Sequence, residues 1–380
     1  MDKKKCLLCN STIELKDLLL KFSNMPGSAQ DIPTKVELLN DQGVELKLVQ
    51  CPCCGLVQLT CEPVSYYKKV IRAGGGTSTM VNLRKSQYED LLQRFNLKEK
   101  KILEVGCGRG EFLKIWKDYP VHAIGIEYDK DLVKFASNEG LEVYQAFADN
   151  QNTILPKAPY DAFVQFNFME HQPYPNDMVK CIYNNLKDEG VGLVTVPSLE
   201  YILKYDGYYE LIKDHIAYYS EETLKFLFQK NGFDIIDCKT VNRDTHSIIV
   251  RKRKKIDVSS WASNYTTLKK ELEEYLQHYI INNQKVAVWG ASHQGFTIVS
   301  SMNLSNKIAY IIDSAPFKQG KYAPASHIPI VDKKHYFRDP VSSILIIAPG
   351  YTDEISNIIR TELSENIDIC TLRSNHLEIL

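Results

Sequence analysis

The sequence predicts a three-part α/β protein: a small cysteine-bearing module followed by two doubly wound domains. Three observations predict it. Of ten cysteines in 380 residues, Cys6, Cys9, Cys51, Cys53, Cys54 and Cys61 crowd the amino-terminal end. From residue 100 to about 255, short apolar strands alternate with helical patterns. After the basic break RKRKKIDVSS (251–260), a second strand–glycine–helix unit begins with KVAVWGASHQG. Short apolar strands separated by helices imply a parallel sheet covered on both faces. A chain of this length exceeds one ordinary core, so several domains are expected. The boundaries read as 1–75, 76–255 and 256–380.

Within 1–75, VELKLVQC is a strand leading into the second cysteine group. RAGGGTSTM (72–80) is a glycine turn entering the helix-like VNLRKSQYEDLLQRF. The middle domain offers the strands KILEVG, VHAIGIE, LEVYQA, YDAFVQFN and GVGLVTVP, with helical periodicity in NDMVKCIYNNLKDEG and SEETLKFLFQKNGF. In the last domain LKKELEEYLQHYIIN is an amphipathic helix, followed by the strands of KVAVWG, KIAYIID and SSILIIAPG.

Composition excludes several classes. Hydrophobic residues make up 44% and charged residues 24%, with a net charge of −1. That is ordinary for a globular chain and carries no basic surplus for nucleic acid or an anionic membrane. No apolar run reaches the length of a membrane span, and MDKKKCLLCN lacks the apolar core of a signal peptide. The expectation is a cytoplasmic protein, monomer or homodimer, acting on a small molecule.

In a reducing compartment clustered cysteines point to metal. Cys6-x-x-Cys9 and Cys51-Pro-x-Cys54-Gly are paired tight turns, each able to present two thiolates. Together they supply the four sulfur ligands of a closed, structural zinc site. Cys53 and Cys61 read as spectators.

KILEVGCGRGEFLKI (101–115) places Gly106, Gly108 and Gly110 where a first parallel strand turns into its helix, with Glu104 just before them. Glycines there let backbone approach a ligand. A dinucleotide loop spaces its third glycine differently and has no use for an acid that pairs with ammonium. S-adenosylmethionine carries such an ammonium. Glu127 ends the second strand about twenty residues on, where a carboxylate accepts ribose hydroxyls. Phe147 and Asp149 follow the third strand at the expected border of adenine, and Asn167 lies in FNFMEH after the fourth, at the ligand crevice of open α/β sheets.

The combination of E-x-G-x-G-x-G with Glu127 resembles the class I S-adenosylmethionine-dependent methyltransferases. The layout of a four-cysteine zinc module, a methyltransferase core and a second Rossmann-like domain resembles the sugar C-methyltransferases that act on nucleotide-linked ketodeoxysugars. VAVWGASHQG, YIIDSAPFKQGKYAPASHIPIV and APGYTDEI look like that family's last domain. The resemblance implies a substrate lying between core and last domain, with the core supplying the base. It assigns that base to His215 with Asp214, in KDHIAYYS, and places His171 of FMEHQPYP beside the methyl group. An imidazole suits proton abstraction because its pKa lies near neutrality. Neighbours in sequence such as Asp214 and His215 are not expected to face the same way on a regular element. The chain departs from the family in three places. Ile212 and Lys213 stand where a tyrosine is usual, the acid of the pair is Asp, and the His-Gly-Gly-Ser element is reduced to THSIIV with His246. Sugar O-methylation is therefore the alternative. An NAD-dependent oxidoreductase using Gly290 and Asp313 is a further alternative from another class.

Overall fold

The computed structural model describes residues 4–69 and 76–380, so residues 72–75 of the predicted glycine turn lie outside the described residues. The chain forms two compact units, Met1–Lys255 and Ile256–Leu380.

The first unit is built on a seven-stranded sheet of β1 (Lys101–Val105), β2 (His122–Glu127), β3 (Val143–Gln145), β4 (Tyr160–Phe166), β5 (Leu186–Pro197), β6 (Phe233–Val241) and β7 (Thr245–Lys252). Their order is β6-β7-β5-β4-β1-β2-β3, with only β7 running against its neighbours. The apolar runs read from the sequence are strands, and the central ones, β1 and β4, are buried on both faces. Leu103 and Phe163 enter one core, while their chain neighbours Ile102 and Val164 enter the core on the other side. The strand order reverses between β1 and β4, which opens the crevice at their carboxyl ends.

Two segments differ from expectation. LKDEG is strand, not helix, because the helix Pro175–Asn184 is stopped at Asn185. The Asn185 side chain donates to the Cys181 and Thr153 carbonyls and accepts from the Leu155 amide, all at 2.8–2.9 Å. The segment after the glycine loop is a 3₁₀ helix, Leu113–Asp118, where an α-helix was expected. Trp116 turns inward there to stack on Tyr88 at 3.7 Å between ring centroids, and Pro120 follows at once. β6 and β7 pair antiparallel as a hairpin, for which the sequence predicts no separate strands.

The amino-terminal strands Leu18–Met25, Val44–Gln50 and Val57–Leu59 form a second sheet. Its fourth member, Ala217–Tyr218, comes from far along the chain and pairs with Val57–Leu59. Leu8, Cys51 and Leu56 share one apolar cluster with Val105 and Phe168. The cysteine-bearing segment is thus packed into the first unit's core.

The second unit has six strands: Val286–Trp289, Ile311–Ile312, Ile330–Val331, Ser343–Ile346, Asp368–Thr371 and Glu378–Ile379. They lie in the order third, second, first, fourth, fifth, sixth, parallel except for the last pair. Helix Ser259–Ile281 covers the sheet with Leu268, Leu272 and Leu276, one stripe at a spacing of four. Among the described residues no helix is long and apolar enough to cross a membrane.

Candidate active site and cysteine centre

The two cysteine turns meet. Cys6 and Cys54 sulfurs lie 3.4 Å apart, as do those of Cys9 and Cys51, and all four fall within 4.8 Å of one another. That is far beyond a disulfide bond and close to the sulfur spacing around a tetrahedral ion with ~2.3 Å bonds. Gly55 follows the second pair at φ +80, and its amide bonds the Cys51 carbonyl at 3.0 Å. The Leu8 amide points at the Cys6 sulfur at 3.4 Å. Cys53 is exposed and Cys61 lies outside the group.

At the carboxyl ends of β1, β2 and β4 the first unit encloses a cavity of about 500 Å³. It brings together two sets of residues that the sequence kept apart: Gly106, Gly108, Glu127 and Asn167 on one side, His171, Asp214 and His215 on the other. Gly106, Gly108 and Asn167 all have left-handed backbones, with φ of +69, +58 and +47. A Cβ on Gly106 would sit 3.6 Å from the Phe168 ring. Glu127 is buried, and its carboxylate accepts the Gly108 amide at 3.0 Å and the Asp129 amide at 2.9 Å. Burial pushes its pKa up and these amides pull it back.

A smaller recess beside the cavity is bounded by Phe147, Tyr128 and Phe168. The Lys68 ammonium lies 4.8 Å from the centre of the Phe147 ring and 2.8 Å from the Asp149 carboxylate. Phe147 therefore borders the recess directly, and Asp149 reaches it through Lys68. Glu104 and Gly110 do not line the cavity. Glu104 is fully buried on β1. Gly110 answers to packing: at φ +84, an added Cβ would meet the Leu141 side chain at 2.3 Å.

His171 and His215 face each other edge to face, with ring centroids 4.7 Å apart. His171 Nδ1 bonds the Asp214 carbonyl at 2.8 Å. A carbonyl only accepts, so that nitrogen carries the proton and Nε2 keeps a lone pair. Burial drives the His171 pKa down to about 3, helped by His215. Burial also lowers that of His215, against the pull of the Asp214 charge. The Asp214 carboxylate does not bond the His215 ring. It accepts the Tyr66 hydroxyl at 2.6 Å and the Ala29 amide at 2.9 Å.

Several cavity residues escaped the sequence reading. Ala29, Gln30, Arg84 and Glu170 all line it, and Tyr66 stands behind Asp214. Arg84 did leave a signal, since it falls in one buried helical stripe with Tyr88 and Leu91. Its guanidinium lies 3.9 Å from the centre of the Phe166 ring. The loop at 28–30 left none. His246 is buried outside the cavity and bonds Glu200 at 2.6 Å. In the second unit the Asp313 carboxylate already accepts the Ala291 and Ala315 amides and the Lys318 ammonium, at 2.9–3.0 Å.

Residues 80–237 match the family described as methyltransferase domain, and residues 252–367 match the C-methyltransferase C-terminal domain. The C-methyltransferase NovU of Streptomyces niveus is 22% identical over 346 residues, covering 82% of this chain and 81% of that one. Among solved structures, the PH0226 protein of Pyrococcus horikoshii OT3 is 16% identical, covers 50% of this chain and 98% of its own, and has a TM-score of 0.41. A methyltransferase from Methanosarcina mazei, also 16% identical, covers 43% and 98% with a TM-score of 0.37. The chain is an S-adenosylmethionine-dependent methyltransferase, similar to C-methyltransferases.

Proposed function

We propose that this methyltransferase acts on a carbon of a sugar, most simply the carbon beside the keto group of a nucleotide-linked ketodeoxysugar, with His215 as the base. The observation that carries the reading is the single cavity that exposes Gly106, Gly108 and Glu127 opposite His171 and His215. The left-handed loop offers close backbone approach, and Glu127 offers acceptors suited to ribose hydroxyls. Arg84, which lines the cavity, brings a cation there for a carboxylate. S-adenosylmethionine supplies a methyl group on positively charged sulfur, which leaves as a neutral thioether.

His215 takes the proton from the carbon acceptor. The electron pair left behind, shared with the keto oxygen, forms the new carbon–carbon bond. Neutral His215 is competent for this, and the buried Asp214 charge favours the imidazolium that results. His171 is held in one tautomer by the Asp214 carbonyl and stands against His215. Cys6, Cys9, Cys51 and Cys54 fit a structural zinc ion, and we read residues 1–75 as its module, 76–255 as the catalytic core and 256–380 as a Rossmann-like substrate-binding domain.

His215→Ala tests the assignment. It should lower turnover about 10²–10⁴-fold while leaving S-adenosylmethionine affinity intact. Wild-type enzyme should exchange the substrate's α-proton with D₂O, and the variant should not. Because the His215 pKa is lowered, the base stays unprotonated to a lower pH than an ordinary histidine. The acid limb of the pH–rate profile should therefore fall below about 6.5. Full activity in His215→Ala would remove the base; no carbon exchange with active enzyme and bound cofactor would move the acceptor from carbon.

A further inference from the structure

Glu170, His171 and His215 present one carboxylate and two imidazoles whose ligand atoms all lie within 4.8 Å of one another. Two backbone staples hold the group together. The Ile216 amide bonds the Glu170 carbonyl at 3.0 Å, and the Asp214 carbonyl holds His171 Nδ1 at 2.8 Å. The second staple is the arrangement that metal-bound histidines ordinarily have, with one ring nitrogen donating to a carbonyl and the other carrying the free lone pair. Glu170 and His171 are buried, at 3% and 6% exposure, while His215 is only partly so. All three line the cavity, which leaves an ion open positions on that side.

We propose that these three residues bind a divalent transition ion, Zn²⁺ foremost, and that the ion switches methyl transfer off by occupying the base. Two imidazoles with one carboxylate suit zinc and its late-transition neighbours; magnesium and calcium call for oxygen ligands. Donors about 2.0–2.2 Å from a tetrahedral ion stand about 3.3–3.6 Å apart, so a pair at the full 4.8 Å separation closes by about 1.2–1.5 Å through side-chain movement. The nitrogen lone pair that ligates the ion is the one that would accept the substrate proton, so the two states exclude each other. The binding half stands without any assumption about the reaction. The switching half rests on His215 as base.

The test uses full-length protein already holding zinc on its four cysteines. Calorimetry with added Zn²⁺ should show one further equivalent per chain. His171→Ala should abolish it and Glu170→Gln should weaken it at least tenfold, both with unchanged S-adenosylmethionine affinity as the sign of an intact fold. Methyl transfer should fall with the same half-saturation and return when a weak chelator removes only the added ion. Absence of the further equivalent, or its persistence in a His171→Ala/His215→Ala chain, overturns the site. Binding that leaves turnover unchanged overturns the switch. Failure of the base reading appears separately, as full turnover of His215→Ala before any zinc is added.

Discussion

Gly106 and Gly110 belong to one sequence pattern but answer to different physical demands. At Gly110 the backbone is left-handed, and a side chain would collide with Leu141 at 2.3 Å. At Gly106 the backbone is left-handed too, yet a Cβ would rest at an ordinary 3.6 Å from Phe168. Gly110→Ala should therefore destabilise the fold by about 2–4 kcal/mol, combining backbone strain with overpacking. Gly106→Ala should cost only about 1–2 kcal/mol of backbone strain. It should weaken S-adenosylmethionine binding instead, because its methyl projects toward the aromatic wall of the cavity. Urea midpoints and calorimetric affinities for the two variants separate these roles; equal loss of stability would show that the loop has one purpose. All three glycines take left-handed backbones, but spacing alone does not say which one faces a ligand. The same limit applies at the far wall. Tyr66 and Ala29 reach Asp214 across 148 and 185 residues of chain, a proximity that no local pattern encodes.

At the scale of elements, local periodicity succeeded wherever burial and periodicity agree. β1, β2 and β4 are apolar because both their faces are covered, and they read as strands for that reason. LKDEG failed because a polar stretch after a good helix carries no strand signal; the Asn185 side chain, bonded to three backbone groups, ends the helix there. The cysteine turns are legible because paired Cys-x-x-Cys spacing is a direct local pattern, and the four sulfurs do come together. Their consequence for the cavity is not legible. Val57–Leu59, just after the second turn, pairs with Ala217–Tyr218, two residues beyond His215. If the four cysteines hold zinc as proposed, removing it should reach the cavity. Cys6→Ser, which replaces a thiolate by a weak ligand, should hold less than half an equivalent of zinc and lower the thermal midpoint of the first unit. Its histidine pair should lose order with it. Removing a structural ion from so small a module takes away folding free energy outright. A Cys6→Ser protein with full zinc content and unchanged turnover would refute both the ligand set and this coupling.

For the whole molecule, the deciding fact is that the two units have separate cores. Leu103, Phe163 and Leu8 belong to clusters confined to the first unit, and Leu272, Val288 and Ile344 to clusters confined to the second. Between them Arg253, Lys254 and Lys255 are exposed and precede a helix that starts at Ser259. The units divide at Lys255/Ile256, where a run of basic residues has no core to enter. Arg251 and Lys252 of the same basic run still pair in β7. Trypsin should cut at 253–255 and leave two protease-resistant pieces, and the piece from 256 onward should fold by itself. Every residue assigned to the cofactor lies in the first unit, so calorimetry of the intact chain should show two transitions that respond differently to S-adenosylmethionine. At a hundredfold excess over Kd the ligand should stabilise the first unit by about 2.7 kcal/mol. For a unit of that size this corresponds to a rise of about 5–10 °C in its midpoint, with the second transition unmoved. A common shift of both transitions would show that the cofactor is also held by residues of the second unit.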